Sequence, residues 1–343
     1  MSAALVGGRG WLALSALAAL AALVFVIALA VGIGKMPISP ATTFAAVING
    51  LGLTDLPVRR IEAAVIWDYR LSRALVAALC GAGLALSGAI LQSLLRNPLA
   101  EPYVLGISAG ASTGAVMVML LGFGAGTLSL GFGAFVGSLA AFVFVVLLAG
   151  RGQSADRTIL AGVAASQLFN ALTSWIVTTS ANAEQARSVM FWLLGSFAGV
   201  RWPDVALAAG VLGAGLLTCL AHARALDALT FGEDAACSLG IDVRRVRIVL
   251  LAVTALMTAT MVSIVGAIGF VGLVVPHAAR FVVGPDHRRL LPATALVGAL
   301  FMVLADIVSR LIGAPQILPI GVVTALVGVP FFAVILYRAK GAE

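Results

Sequence analysis

Charged residues are scarce in this chain: Asp, Glu, Lys and Arg make up 10% of its 343 residues, against about 25% in ordinary soluble domains. With 62% hydrophobic residues and a mean hydropathy of +1.12, that scarcity excludes a soluble globular protein and implies an integral membrane one. Cysteine is scarce too. Cys80, Cys219 and Cys237 form no close pair and no C-x-x-C, so neither a disulfide framework nor a cysteine metal site is supported. The three histidines, His222, His277 and His287, stand far apart, and none pairs with another at zinc or haem-ligand spacing. Lysine occurs only as Lys35 and Lys340. Neither ends a G-x-x-x-x-G-K-[ST] phosphate loop, so any ATP hydrolysis belongs to a separate chain.

Long apolar runs are what the chain has instead. Outer-membrane barrels need short alternating strands; unbroken runs read as helices. Ten spans are expected, at about 20 residues each: 11–33, 71–95, 103–122, 128–149, 158–181, 203–222, 245–265, 267–284, 290–311 and 318–337. The first run is too long for a signal-peptide core of about 7–15 residues and reads as a span. An even count puts both termini on one side. With the N-terminus inside, Arg9, Arg96, Arg151, Arg157, Arg224, Arg244, Arg245, Arg247, Arg280, Arg288, Arg289, Arg338 and Lys340 face the cytoplasm, 13 of the 21 basic residues. The positive-inside rule favours that orientation and explains the net charge of +7 without nucleic acid. The outer loop 34–70, with Pro37, Pro40, Asn49-Gly50 and Pro57, reads as irregular. Residues 182–202 read as an amphipathic surface helix. "GAILQSLLRNP" at 88–98 and "GAIGFVGLVVP" at 266–276 match at an offset of 178, either as an inverted repeat or by chance in an Ala/Gly-rich chain.

One stretch cannot enter a membrane: "DALTFGEDAACSLGIDVRRVR", 227–247. Thr230-Phe231-Gly232-Glu233 spells a T-x-x-E capping box. Glu233 and Asp234 suit a helix N-terminus, Gly240 supplies a stop, and Ala235, Ala236 and Leu239 lie between. The bland reading is an interfacial loop helix; the sharper one is a docking knob for a cytoplasmic partner. In the fifth span Gly162, Ser166, Asn170, Ser174 and Thr178 recur every four residues, a polar stripe that faces a neighbouring helix or a water-filled path. The loop "GRGQSADRT", 150–158, is a candidate inner gate. His277 reads as structural rather than as a haem ligand.

The stretch "LTFGEDAACSLGIDVRRVR" resembles the coupling segment of ABC importer permeases. "YRLSRALVAALCGAGLALSGAILQSLLRNPLAEPYVLGISAGASTGA", "RSVMFWLLGSF", "GAIGFVGLVVPHAARFVVGPDHRRLLPATALVGA", "LADIVSRL" and "LPIGVVTALVGVPFF" narrow the resemblance to FecCD-type permeases, from about residue 68 to 338. The resemblance implies an all-α membrane protein of the type II importer architecture, one transmembrane permease domain over 1–343, with its coupling segment at about 224–243. It also implies a homodimer in the bacterial inner membrane, two cytoplasmic ATPase subunits carrying the ATP and Mg, and a periplasmic substrate-binding protein. By the same resemblance Arg70, Arg73 and Arg310 pair with glutamates of the binding protein, Thr230, Gly232, Glu233, Asp234, Ala235, Ala236, Leu239 and Gly240 engage the ATPase, and the fifth-span stripe lines the channel. Ser72 departs from the proline that many relatives carry between the two arginines. No metal or cofactor is expected on this chain. The cargo is expected to be an iron chelate, haem or a ferric siderophore, with cobalamin as the alternative. An ion-coupled transporter would need intramembrane carboxylates, and only Asp306 qualifies, with Arg310 as a neighbour. A membrane-embedded enzyme would need paired histidines, a metal cluster or a nucleophile with its base, and no such group is legible.

Overall fold

The computed structural model describes residues 2–122, 128–150, 155–312 and 318–340, apart from the side chains of 2–13, 334–336 and 338–340. No strand occurs among the described residues. In chain order the elements are α1 (Ser2–Gly32), α2 (Pro40–Gly50), α3 (Arg60–Ala64), a π-helical stretch (Val65–Leu71), α4 (Ser72–Leu94), a 3-10 turn (Pro102–Leu105), α5 (Ile107–Leu121), α6 (Leu130–Ala149), α7 (Ala155–Ser180), α8 (Ala183–Leu193), α9 (Trp202–Ala221), α10 (Ala223–Thr230), α11 (Glu233–Ser238), α12 (Val243–Val265), α13 (Val271–Val283), α14 (His287–Ile312) and α15 (Ile320–Lys340). Leu14–Gly32 of α1, the continuous helix Arg60–Leu94, and α6, α7, α9, α12 and α14 are long and apolar enough to cross a bilayer. The shorter apolar helices α5, α13 and Ile320–Ala333 of α15 fall on the remaining expected spans.

The connection 34–70 is not the irregular loop its prolines suggest. Pro40 opens α2, and the Ser39 Oγ accepts from the Thr42 N–H at 3.1 Å. A proline in the first turn starts a helix, because the N–H it lacks would have no intrahelical partner there. The second span begins at Arg60 rather than near 71, since α3, the π-helical stretch and α4 run on without a break. The π-helical stretch shifts the register of α4 relative to α3, and Ile66, Arg70 and Arg73 all turn inward. The surface helix expected after residue 182 is α8, closed by a reciprocal capping box between Asn182 and Gln185. The two G-A-I segments adopt different conformations. Gly88–Leu94 lie within α4, whereas 266–270 form a connection with Gly266 at φ 81°, so they are not a structural repeat.

α4 is the centre of the molecule. Every residue from Ser72 to Leu94 except Leu75 and Leu79 is buried, with α1, α9, α12, α13 and α14 packed around it. Leu14–Gly32 of α1 exposes most of its residues, the arrangement expected of a helix that faces lipid. Without a hydrophobic drive between helices in lipid, close packing must hold the bundle. α5 and α6 show how: Gly110 and Gly114 face Gly137 and Gly133, and a Cβ on either α5 glycine would run into the opposing carbonyl oxygen.

Candidate functional site

The segment expected to contact the ATPase folds as two short helices, not one. α10 buries Ala223, Leu226, Ala228 and Leu229. The expected T-x-x-E capping box does not form. Thr230 is the last residue of α10 and donates to the Asp227 carbonyl at 2.6 Å. α11 starts after Gly232, at φ 114°, with no side-chain cap. Glu233 instead pairs with Arg247 of α12, whose side chain is 9% exposed. A nearly buried cation claims the carboxylate ahead of an exposed backbone N–H. The glycine stop does form: Gly240 sits at φ 77°, Ile241 N–H donates to Ala236 O at 3.2 Å, and Gly240 N–H to Cys237 O at 2.9 Å, the pairing that closes helix C-termini. Ala236 is fully buried and Ala235 half-buried. Asp234 is exposed, and so are Phe231, at 82%, and Leu239, at 71%.

At the other end of α4, the three arginines expected to point outward are turned into the protein. Arg70 is 3% exposed and donates to Val31 O and Gly32 O, both at 3.1 Å, and to Met36 O. Arg73 is 1% exposed and holds Asp306 Oδ1 through Nε at 2.9 Å and Nη2 at 2.7 Å. Arg310 donates to Ala30 O and Ile33 O at 3.0 and 2.8 Å, and its Nε lies 3.2 Å from Asp306 Oδ2. The i,i+4 pair of Asp306 with Arg310 is present, but Asp306 has a second cation that the local sequence does not show. The reason is physical. The end of α1 leaves backbone carbonyls without intrahelical donors, and buried guanidinium groups satisfy them. These side chains bind α1, α4 and α14 together and offer no free guanidinium to a partner. Exposed groups on the same face include Asp68, Tyr69 and Arg201, beside the Trp67 and Trp202 rings, which meet at 4.7 Å with their planes tilted by 34°.

α7 divides along its length. Gly162 is buried, and a Cβ there would run into Val104 O of the 3-10 turn, so it is a packing glycine rather than a channel-lining one. Ser166 is half-buried, with its hydroxyl on Gly162 O at 2.9 Å. Asn170, Ser174 and Thr178 are exposed, as is Gln167, which a strict four-residue spacing passes over. Residues 151–154 of the candidate gate loop lie outside the described residues.

Sequence reading missed a polar chain where α10 meets α4 and α14: the buried Ser93 of α4 and His287 of α14, and the half-buried Asp227 of α10. His287 Nδ1 lies 2.6 Å from Asp227 Oδ1, and its Nε2 lies 2.6 Å from Ser93 Oγ. Beside it, Arg280 donates to Gln92 at 2.8 Å. The partners are 60 and 194 residues apart, so no local spacing announces them.

The model of the FecCD transport family matches residues 22–338. This chain belongs to the FecCD transport family. It is the permease subunit of an ABC importer and a multi-pass membrane protein. As a FecCD permease it is 44% identical over 276 residues, 79% of this chain and 73% of the relative, to the cobalamin import system permease protein BtuC of Halobacterium salinarum. It is 42% identical over 276 residues, 80% of this chain and 84% of the relative, to the vitamin B12 import system permease protein BtuC of Escherichia coli O9:H4. Its fold matches that of a transporter assigned to the metal-chelate ABC type and solved in an inward-facing conformation. The TM-score is 0.82 at 31% identity, covering 94% of this chain and 98% of the other. A FecCD permease works with an ATPase and a substrate-binding protein.

Proposed function

We propose that this permease carries a large metal chelate inward across the cytoplasmic membrane, and that the chelate is cobalamin rather than an iron complex. The cobalamin permeases among its relatives support the specific cargo, and the metal-chelate transporter it resembles in fold supports the broader class. The expectation of haem or a ferric siderophore is not the one that these two relatives support. Asp306, the carboxylate considered for ion coupling, is held between Arg73 and Arg310.

The observation that carries the ATP-driven reading is the α10–α11 corner. Phe231 and Leu239 are exposed on a short segment too polar for lipid, and exposed apolar side chains in water mark a contact surface. A cytoplasmic ATPase subunit, holding the ATP and Mg, covers them. The opposite face, tied together by Arg70, Arg73 and Arg310, receives the binding protein. Asn170, Ser174 and Thr178 line a channel shared with a second copy. Both termini then lie in the cytoplasm. The test is ATP-dependent uptake into proteoliposomes holding this chain, its ATPase and its binding protein, with cyanocobalamin, haemin and ferrichrome offered separately. Accumulation of cyanocobalamin alone is expected. Accumulation of haemin or ferrichrome alone would replace the cargo, and uptake without ATP would sink the ABC reading.

A further inference from the structure

The chain Ser93–His287–Asp227 has the residue order of a hydrolytic triad, but its setting is that of a joint. His287 is 2% exposed and Ser93 6%. The Ser93 hydroxyl is shared between the ring and Ala89 O of its own helix, 3.0 Å away. A buried hydroxyl held on both sides is not an available nucleophile. Asp227 Oδ1 accepts twice from one residue, from His287 Nδ1 at 2.6 Å and from the His287 backbone N–H at 3.0 Å. A carboxylate on α10 therefore caps the N-terminus of α14 and fixes the ring that reaches α4.

From there two helices run together across the bilayer. Near one end Ser93 of α4 meets His287 of α14. In the middle Gly81 and Gly298 touch at backbone distance, so that a Cβ on either would strike the other's carbonyl oxygen. Near the far end Arg73 of α4 meets Asp306 of α14 at 2.7 Å. Two helices tied near both ends and in contact between them move as one body. α10 also touches this body through Leu226 and Leu229, which share a core cluster with Leu91, Leu94 and Leu291. Apolar contact is non-directional and permits sliding, whereas hydrogen bonds fix direction and register.

We propose that His287 is a positioning residue for transport: the joint through which a displacement of α10–α11 is passed to the α4–α14 body and on to the Arg70–Arg73–Arg310 cluster. The proposal rests on the reading of α10–α11 as the ATPase-contacting segment. The substitutions separate its two links. His287→Gln leaves an amide near Ser93 and loses the side-chain link to Asp227. His287→Asn keeps a donor for Asp227 and loses Ser93. Asp227→Asn keeps the acceptor and serves as the conservative control.

The experiment uses the full complex in proteoliposomes and reads chelate accumulated per ATP hydrolysed, with whichever of cyanocobalamin, haemin and ferrichrome the unaltered complex takes up. His287→Gln is expected to keep ATP hydrolysis while uptake per ATP falls by about tenfold or more, within the range of a coupling between sites. Asp227→Asn is expected to stay within about twofold of the unaltered complex, since its acceptor survives. A merely structural role lowers hydrolysis and uptake in proportion. That proportional loss, or an unchanged ratio in His287→Gln, would overturn the joint. Ser93→Ala, which removes one hydroxyl, covers the case in which His287→Gln fails to fold; an unchanged ratio there has the same meaning. An unaltered complex that takes up chelate without ATP would remove the permease reading and the joint with it, whereas normal coupling in the variants would remove only the joint.

Discussion

A buried guanidinium must be matched group by group, because an unpaired charge out of water costs several kcal/mol. Arg70, Arg73 and Arg310 meet that demand with the end of α1 and with Asp306. Asp306 is fully buried between two of them, so Asp306→Ala strands both cations. The expected loss is about 3–5 kcal/mol, read as a lowered midpoint of thermal or denaturant unfolding in detergent; a midpoint at the native value would show that water or lipid reaches the site. The double variant Arg70→Glu with Arg73→Glu places two anions where carbonyls and a carboxylate already point inward. It is expected to prevent accumulation of folded protein. A well-folded double variant that has lost only its affinity for the binding protein would restore these arginines as direct docking groups.

At the scale of elements, α10–α11 carries two separable features: an anchor, Glu233 on Arg247, and an exposed contact pair, Phe231 and Leu239. Phe231→Asp with Leu239→Asp leaves the anchor intact and is expected to release the ATPase in a pull-down while the unfolding midpoint stays within a few degrees, as for surface substitutions of about 0.5 kcal/mol or less. An ATPase that stays bound would place its contact elsewhere. Glu233→Lys sets two cations against each other and is expected to release the ATPase by loosening α11 from α12, with a lowered midpoint as its mark. These elements also show what sequence can reach. Apolar length reveals the spans, and the Gly240 stop is legible because a glycine at positive φ leaves little alternative. The inward turn of the arginines is not legible, because chain position says which end of a span a residue occupies, not which way the helix is turned there, and the π-helical stretch at Val65–Leu71 changes that turn. The capping box misleads because Glu233 has a stronger partner 14 residues ahead. Ser93, His287 and Asp227 are invisible in the sequence because only the packed bundle brings them together.

The molecule as a whole leaves one polar surface unexplained in a single copy. α7 has a span-like length, yet it exposes Gln167, Asn170, Ser174 and Thr178. The Thr178 hydroxyl is satisfied by Ser174 O at 2.8 Å, so that position tolerates an apolar neighbour. The amides of Gln167 and Asn170 carry more donors and acceptors than a helix backbone satisfies, and lipid supplies none. A stripe of this kind faces water or another protein surface. Both conditions are met if two copies set their α7 helices around a common aqueous path, the arrangement a type II importer implies. A single cysteine tests this. Cys80 and Cys219 are buried and Cys237 is exposed, so Cys237→Ser gives a background without an accessible native thiol. In that background Ser174→Cys is expected to form a disulfide-linked dimer on mild oxidation in native membranes. Leu17→Cys on α1, 64% exposed on a helix that buries little of its surface, is expected to remain a monomer. A disulfide needs Cα atoms within about 7 Å, so the cross-link reports close approach of the two stripes rather than mere dimerisation. If Ser174→Cys and the neighbouring positions Asn170→Cys and Thr178→Cys all stay monomeric while uptake persists, the two stripes are not in contact. Labelling by a water-soluble thiol reagent then separates the cases: reaction at all three positions keeps α7 as the wall of a wide channel, and no reaction places the channel on another helix.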